Sequence, residues 1–323
     1  MTLLELLIAM TIGLLLLVGI LVIYVQTNQS YRVSDSTSRL QESARFAFDL
    51  LSREIRMAGY MGCFSLSSSV NVIAAAAPSL TSTSVLEGFD AASPPAGIAA
   101  IANTDIIRVR KASSLESLFL TGNMASDNAN IQLSQNPHEF AANDVLIISD
   151  CSNADIFCAT NVSEGNVTIA HAAGCNTVPK LSKAYGADAM VMALEENTFY
   201  IRNNPSGRPS LYMRPWNGNA VGAEEEQVEG VQDMQFCYGE DTDNDQSADI
   251  YSAAASVANW GNVVSIRVSL LMRTLDDGMA PAPQTYALDK NCDGVSVGET
   301  VTPTDRRIRR VFHSTISIRN RLP

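Results

Sequence analysis

The N-terminal segment of the chain is a nearly continuous apolar run. From Leu3 to Val25 the residues are almost all Leu, Ile, Val, Ala and Met, and Glu5 is the only charged side chain among them. A helix of about 20 apolar residues crosses a bilayer core of about 30 Å. A secretory signal peptide would begin with basic residues, whereas the first basic residue here is Arg32. We therefore expect a membrane helix whose leader has already been removed.

The helical pattern continues beyond the apolar run. No proline or glycine occurs from Gln26 to Ala58, and apolar residues recur there at three- and four-residue spacing, as in an amphipathic helix. The sequence predicts one stem helix over residues 1–58, roughly 85 to 90 Å long at about 1.5 Å per residue. Gly59 is the expected C-terminal stop.

Residues 59–323 have the pattern of a β-rich domain. In Val263–Met272 and Ile308–Ile318, apolar and polar residues alternate, which predicts half-buried strands. We expect both to be central strands of an antiparallel sheet that packs on the lower stem, which gives an α+β fold. Residues 70–100 are rich in small residues and are predicted to form a loop with one short helix.

Composition excludes several classes of protein. The chain has 34 acidic and 22 basic residues, a net charge of -12 and 46% hydrophobic residues, so it is neither disordered nor collagen-like. Binding to nucleic acid needs clustered Lys and Arg, because these residues neutralise the phosphates. An acidic chain is therefore not expected to bind nucleic acid.

The cysteines are expected to form disulfides. The chain has six cysteines and no C-x-x-C motif, and an exported domain folds in an oxidising compartment. Of the fifteen pairings that six cysteines allow, one is preferred because it ties the stem exit to the sheet and closes a surface loop. It joins Cys63 to Cys151, Cys158 to Cys175, and Cys237 to Cys292.

The first ten residues, MTLLELLIAM, resemble the mature N-terminus of the type IV pilin family. The segment from Arg39 through Cys63 and the C-terminal segment from Arg309 to Arg321 are similar to the PilW family of minor pilins. Two positions differ from the usual pilin pattern. Met1 stands where Phe is usual, and Val22 stands where many major pilins carry Pro.

The resemblance implies a role in pilus assembly and no catalysis. It implies that other minor pilins, the major pilin and a PilY-type tip adhesin are partners, in a complex that primes filament growth. The chain would start in the inner membrane of a Gram-negative bacterium, with a periplasmic ectodomain, and would end at the pilus tip. Two alternatives remain: a pseudopilin of a type II secretion machine, and a membrane-anchored adhesive or calcium-binding protein.

Glu5 is the expected assembly residue. A carboxylate in hydrocarbon costs roughly 2.5 kcal/mol or more and needs a partner. The resemblance implies that Glu5 guides docking, and the N-terminal amine of Met1 in a neighbouring chain is the partner that fits. In the other interpretation, Glu5 extends into the lipid headgroups and pairs with no protein group.

Two acidic runs are candidate calcium sites. The first carries carboxylates at positions 1, 3, 5 and 9 of a loop, but has Gln246 and Ser252 where an EF-hand has Gly and Glu. The second has an Asp-x-Asn-x-Asp-Gly beginning. Each run is also typical of an exposed acidic turn. The candidate ligands are Asp241, Asp243, Asp245 and Asp249 in the first run, and Asp289, Asn291 and Asp293 in the second.

Three further features of the sequence could carry a function. Gly294–Gly298 matches the G-x-S-x-G nucleophile elbow, but an acidic turn precedes it where a buried strand is required, so we expect a loop and no hydrolase. None of the three histidines is placed as a general base. Basic residues cluster near the C-terminus, and they form either a solvated strand edge or a docking surface for an acidic subunit. These are Arg306, Arg307, Arg309 and Arg310.

Overall fold

The computed structural model describes residues 2–66, 70–78, 80–90, 93–113, 118–163, 167–216, 220–294 and 300–321. One helix, α1 (Leu3–Arg56), runs without interruption for 54 residues. It ends two residues before the predicted boundary. At Gly59 the backbone has φ +72°, and a Cβ there would lie 2.2 Å from a Leu66 side-chain carbon. Only glycine avoids both the strained backbone and the clash.

The rest of the described chain is built mainly of strands. In chain order these are β1 (Asn71–Val72), β2 (Leu86–Asp90), β3 (Asp105–Ala112), β4 (Leu118–Phe119), β5 (Ile131–Leu133), β6 (Val145–Ser149), β7 (Ala154–Cys158), β8 (Asn161–Ser163), β9 (Val167–Ala170), β10 (Met190–Asn203), β11 (Pro209–Trp216), β12 (Glu225–Glu229), β13 (Val231–Glu240), β14 (Ile250–Ser252), β15 (Val263–Arg273), β16 (Tyr286–Ala287), β17 (Thr300–Val301) and β18 (Arg309–Ser317). Three short 3-10 helices are Ala254–Ser256, Trp260–Asn262 and Arg319–Arg321.

The long strand β10 holds the larger sheet together. Its first residues pair with β6 and β4, and its later residues pair with β3 and β11, all antiparallel. The sheet has nine strands, and its main path runs β1-β7-β6-β10-β11-β12. β5, β9 and β8 form a separate three-stranded sheet.

The second main sheet lies near the C-terminus and has the order β14-β13-β15-β18. The prediction of a central strand is confirmed for β15, which pairs with β13 and β18. It is wrong for β18, which is the edge strand. Arg310 and His313 are exposed on β18, and charged or polar groups of this kind protect an edge from further pairing.

Two other expectations are corrected. Most of β15 is buried on both faces, since Ser265 and Ser269 are buried like the apolar residues between them, and Arg267 on the same face as the serines is half-buried. The chain that follows β15 folds back towards this face, and the bridge between Cys237 and Cys292 fixes it there. In residues 70–100 the described part contains β1 and β2, and no helix is present in it.

The lower half of α1 is part of the main core. Its side chains from Leu40 to Ile55 form one buried cluster with residues of both main sheets, among them Phe199 of β10 and Phe236 of β13. A second cluster, around β5, β6 and β9, contains no residue of the helix. The globular part is therefore built on the lower half of α1, and the upper half projects from it.

Candidate functional site

In the part of the chain that the structure describes, the apolar segment of α1 is exposed. Residues 3–25 are all exposed, and the most apolar 18-residue window of the helix has a mean hydropathy of 3.1 with 0% of it buried. By length and composition this helix can span a membrane. An apolar surface of this size requires lipid or other apolar helices around it.

Glu5 lies in the first turn of this helix and forms a capping box. The Thr2 N–H donates to Glu5 Oε2 at 2.9 Å, and the Glu5 N–H donates to Thr2 Oγ1 at 3.4 Å. The carboxylate thereby satisfies one of the free N–H groups at the helix start. Met1, the other predicted assembly residue, lies outside the described residues.

A buried ion pair joins α1 to β3. Lys111 Nζ lies 2.8 Å from Glu54 Oε1, and both side chains are more than nine-tenths buried. The second oxygen of Glu54 accepts a hydrogen bond of 2.9 Å from Asn197 Nδ2. Because every charge in this cluster has a partner, burial is tolerated, and the pair fixes the rotation of the helix on the sheet. Neither residue is recognisable as part of a buried pair from its sequence neighbours.

The two segments that resemble PilW, residues 39–63 and 309–321, meet at the base of the stem. Asn320 Nδ2 donates to the carbonyl of Ala58 at 3.1 Å, next to the helix end, where carbonyls lack helical partners. The guanidinium of Arg321 donates to the carbonyls of Ser82, Trp260 and Val263. Burial lowers the pKa of Arg321 to about 10. The C-terminal residues therefore connect the end of α1 to the neighbouring part of the globular domain.

The six cysteines form the pairing preferred from the sequence. The bridges are Cys63–Cys151, Cys158–Cys175 and Cys237–Cys292, with Cα atoms 4.8, 5.8 and 5.5 Å apart. The first ties the chain that leaves the stem to the loop after β6. The third ties β13 to the segment between β15 and β18. Bridges that close loops of this kind stabilise a fold by about 2 to 4 kcal/mol each.

The first acidic run is a tight loop after β13. Carboxylate oxygens of Asp241, Asp243 and Asp249 lie within 4.8 Å of one another. Backbone N–H groups also donate to this loop, among them that of Gln246 to Asp241 Oδ2 at 2.8 Å. The hydrogen bonds that Thr242 donates lower the pKa of Asp249. Asp245 lies outside the group of three and accepts from the Ser247 N–H at 2.7 Å.

The second acidic run has similar local geometry. Position 6 of each run has a positive φ, at Gln246 and Gly294, and its N–H donates to the carboxylate at position 1. Asp289 Oδ1 is buried and has no hydrogen-bond partner among the described residues. The three converging carboxylates of the first run include none from the second, neither Asp289 nor Asp293. Asn291 is exposed.

The basic run divides into buried and exposed members. Arg309 is buried and ion-paired with Asp305, and this contact lowers the pKa of Asp305 to about 2. Arg307 donates to the carbonyls of Thr274 and Leu275. Arg306 and Arg310 are exposed and form no ion pair with any described residue. Half of the run is thus structural, and half is open to solvent.

Asp233 of β13 and the half-buried Asp105 form an acidic pair that the sequence does not predict. Asp105 Oδ2 accepts from the Phe236 N–H at 2.8 Å, and Asp233 pairs with Lys290 at 3.1 Å. Burial raises the pKa of Asp105 to about 7, the nearby Asp233 adds to this, and the Phe236 hydrogen bond opposes it. A single aspartate at the start of a predicted strand gives no sequence signal for such burial.

The sequence features that bear on catalysis are the G-x-S-x-G motif and the histidines. The described part of the G-x-S-x-G motif is Gly294 alone, and residues 295–298 lie outside the described chain. His313 Nδ1 lies 2.7 Å from Ser269 Oγ across neighbouring strands. His313 is exposed as a whole residue, but partial desolvation of its imidazole and the charge of Arg267 lower its pKa, and the charge of Asp289 opposes this.

Comparison with known proteins adds a family match. Residues 198–320 match the family model of the Type IV Pilus-assembly protein W, PilW, which confirms the resemblance over these residues. No curated protein matches the chain. Among solved structures, a type IV-like pilin from Thermus thermophilus has a TM-score of 0.41 and 13% sequence identity, covering 88% of this chain and 98% of that chain. The family match begins within β10 and ends at Asn320, so the stem lies outside it.

Proposed function

We propose that this chain is a minor pilin of the type IV pilus, held in the inner membrane by α1 before it joins a filament. The observation that carries the proposal is the division of one continuous helix into an exposed apolar half and a half that is built into the core. Each large apolar side chain that lipid or a neighbouring helix covers contributes about 1.5 to 3 kcal/mol. The PilW match of residues 198–320 supports a pilus role over a type II secretion role.

The lower stem supports lateral packing against other helices. Its exposed side carries charges of alternating sign at three- and four-residue spacing, and among the described residues only Asp35 and Arg39 form an ion pair there, at 3.0 Å. A neighbouring helix with a staggered charge pattern would satisfy the others. The series is Arg32, Asp35, Arg39, Glu42, Arg45, Asp49 and Arg53.

Glu5 is the residue that sets the register in this proposal. As the only charge in the apolar segment, it gains most from a positive group at the same depth, and the N-terminal amine of a neighbouring subunit provides one. The capping box keeps the carboxylate at the helix start, close to where that amine would approach. The subunit would leave the membrane laterally and enter a bundle of stems.

The size of the ectodomain favours the filament tip. The roughly 260 residues after the stem exceed the about 100 to 200 residues of a common single domain, and a subunit of this size is difficult to repeat along a shaft. At the tip, together with other minor pilins, it would prime assembly and present a PilY-type adhesin. Catalysis has no part in this role.

Calcium binding is a second candidate function, and the convergence of three carboxylates within 4.8 Å favours it. The test is a calorimetric titration of the full chain in detergent with calcium chloride. We expect binding that Asp249→Asn removes and that Asp276→Asn, at an exposed aspartate outside the loop, leaves intact. Equal heats for the two variants would exclude the loop as a calcium site.

The main proposal is tested by piliation. A strain that lacks this chain is complemented with the wild type, with Glu5→Ala, or with Asp188→Ala, which removes an exposed carboxylate from the ectodomain. We expect Glu5→Ala to lower surface pili towards the level of the deletion strain and Asp188→Ala to have a small effect. Mapping of the three bridges checks that the ectodomain folds in each variant. Normal piliation with Glu5→Ala would refute the assembly mechanism.

A further inference from the structure

A groove runs between the stem and the end of β15. It has a volume of about 770 Å³, with residues 35–46 of α1 on one side and residues 227–229 and 272–276 on the other. Leu40, Val228 and Met272 line it and are buried. Phe46 also lines it, and its side chain is 53% exposed. The groove therefore combines an apolar lining with an exposed aromatic ring.

Arg273 in this groove carries a charge that the described chain does not neutralise. It is partly buried, and its guanidinium makes no hydrogen bond or ion pair with any described residue. Burial lowers its pKa, the charges of Arg307, Arg309 and Arg208 lower it further, and the charge of Asp305 opposes this. These directions indicate an excess of positive charge around Arg273.

The neighbouring carboxylates are already shared among other arginines. Asp305 pairs with both Arg307 and Arg309, and Glu229 pairs with Arg208. Arg273 is therefore left without an ion pair among the described residues, whereas the three arginines near it are paired. A partly desolvated guanidinium is stabilised most by a carboxylate that accepts two parallel hydrogen bonds.

We propose that this groove binds an acidic segment of a neighbouring pilus subunit, with an Asp or Glu of that segment on Arg273 and an apolar side chain against Phe46. The inference rests on the proposed function and adds the chemistry of the partner to it. Arg and aromatic residues are the types that dominate binding energy at protein interfaces.

The acidic residues of the groove favour a protein segment over a free anion. Asp35 and Glu42 line the stem side and Asp276 lines the side of Arg273, and their charges would repel a free phosphate or a lipid phosphate that entered whole. A polypeptide can place a single carboxylate at Arg273 and present basic or apolar groups to these acidic residues. The groove also lies directly beside the stem, where the stem of the next subunit would pack.

The first experiment is site-specific photo-crosslinking in cells that carry the other pilus subunits. A photoreactive residue replaces Gln227 on the groove wall of the full chain, and mass spectrometry identifies the attached peptide. We expect a peptide of a pilus subunit that contains Asp or Glu. A cross-linked peptide without an acidic residue would overturn the proposal.

Matched arginine variants test the contact itself. Arg273→Gln is compared with Arg267→Gln, which changes an arginine of the same strand that stacks on Tyr251, 4.2 Å from the ring centre, outside the groove. We expect Arg273→Gln to lower the yield of the cross-link by about tenfold or more and Arg267→Gln to leave it nearly unchanged. Arg273→Lys keeps the charge but loses the planar fork, so it should fall between them. Equal yields for all three variants would contradict the proposal.

Further outcomes distinguish the proposed groove contact from binding of a free anion and from a failure of the minor-pilin proposal. Arg273-dependent binding of inorganic phosphate to the purified full chain, without the cross-link, would assign the groove to a free anion. An unchanged cross-link with Arg273→Gln, in a strain where Glu5→Ala still abolishes pili, would refute the groove and leave the minor-pilin proposal standing. Normal pili with Glu5→Ala would instead refute the proposed function.

Discussion

Asp105 should make the stability of this fold depend on pH. Burial raises its pKa from an ordinary value of 3.8 to about 7. The folded chain therefore binds this proton more tightly than the unfolded chain does, and stability is lost as the pH rises from about 4 to about 7. A difference of about three pKa units corresponds to roughly 4 kcal/mol at about 1.4 kcal/mol per unit.

The substitution Asp105→Asn isolates this effect, because an amide resembles the protonated acid and its oxygen can still accept from the Phe236 N–H. We expect the variant to be more stable than the wild type by about 1 kcal/mol at about pH 4.5 and by about 4 kcal/mol at about pH 8. The assay is denaturant unfolding of the full chain in detergent at both pH values, followed by near-ultraviolet circular dichroism.

Asp305→Asn is the matched control with the opposite sign. The pKa of Asp305 is lowered to about 2 by Arg309, so this carboxylate stabilises the fold above about pH 4 and loses that contribution only as the pH falls towards 2. The variant should be destabilised equally at both assay pH values. If Asp105→Asn changes stability by the same amount at both, the account of its burial is refuted.

Two further substitutions test the packing of the stem and sheets, both by denaturant unfolding. Lys111→Met leaves the buried carboxylate of the stem unpaired and should cost about 3 to 5 kcal/mol. Arg39→Gln, which breaks an exposed pair, should cost less than about 1 kcal/mol, and similar losses for the two would contradict this argument. Gly88→Ala would place a Cβ 2.2 Å from the buried Tyr238 hydroxyl and should cost about 1 to 3 kcal/mol. Gly122→Ala meets nothing within 4 Å, so a loss as large there would point to a general effect of removing glycine.

The stem could be predicted from sequence because its signals are local. The absence of proline and glycine between Gln26 and Ala58, and the apolar stripe that includes Leu40 and Leu51, depend only on neighbouring residues. The structure buries both of these leucines. The same holds for the strand β15, whose alternation is clear.

The features that the sequence did not predict depend on contacts between residues that are far apart in the chain. Alternation in β18 predicts a strand, but it does not say whether a second strand lies beside it, so the central position was wrong. Lys111 and Glu54 pair across 57 residues of chain, and each alone looks like an ordinary surface charge. Arg273 follows the apolar run of β15, and its sequence neighbours do not show that it lies beside other arginines. Its surroundings depend on Arg208, Arg307 and Arg309, which the fold places near it.

The most direct test of the central claim is co-purification of the full chain from cells that carry the other minor pilins. The wild type and Glu5→Ala are isolated from membranes under the same conditions, and the pilus subunits that come with each are identified. The account predicts that minor pilins come with the wild type and are largely lost with Glu5→Ala. Recovery of no minor pilin with either protein, in cells that still make pili, would contradict it.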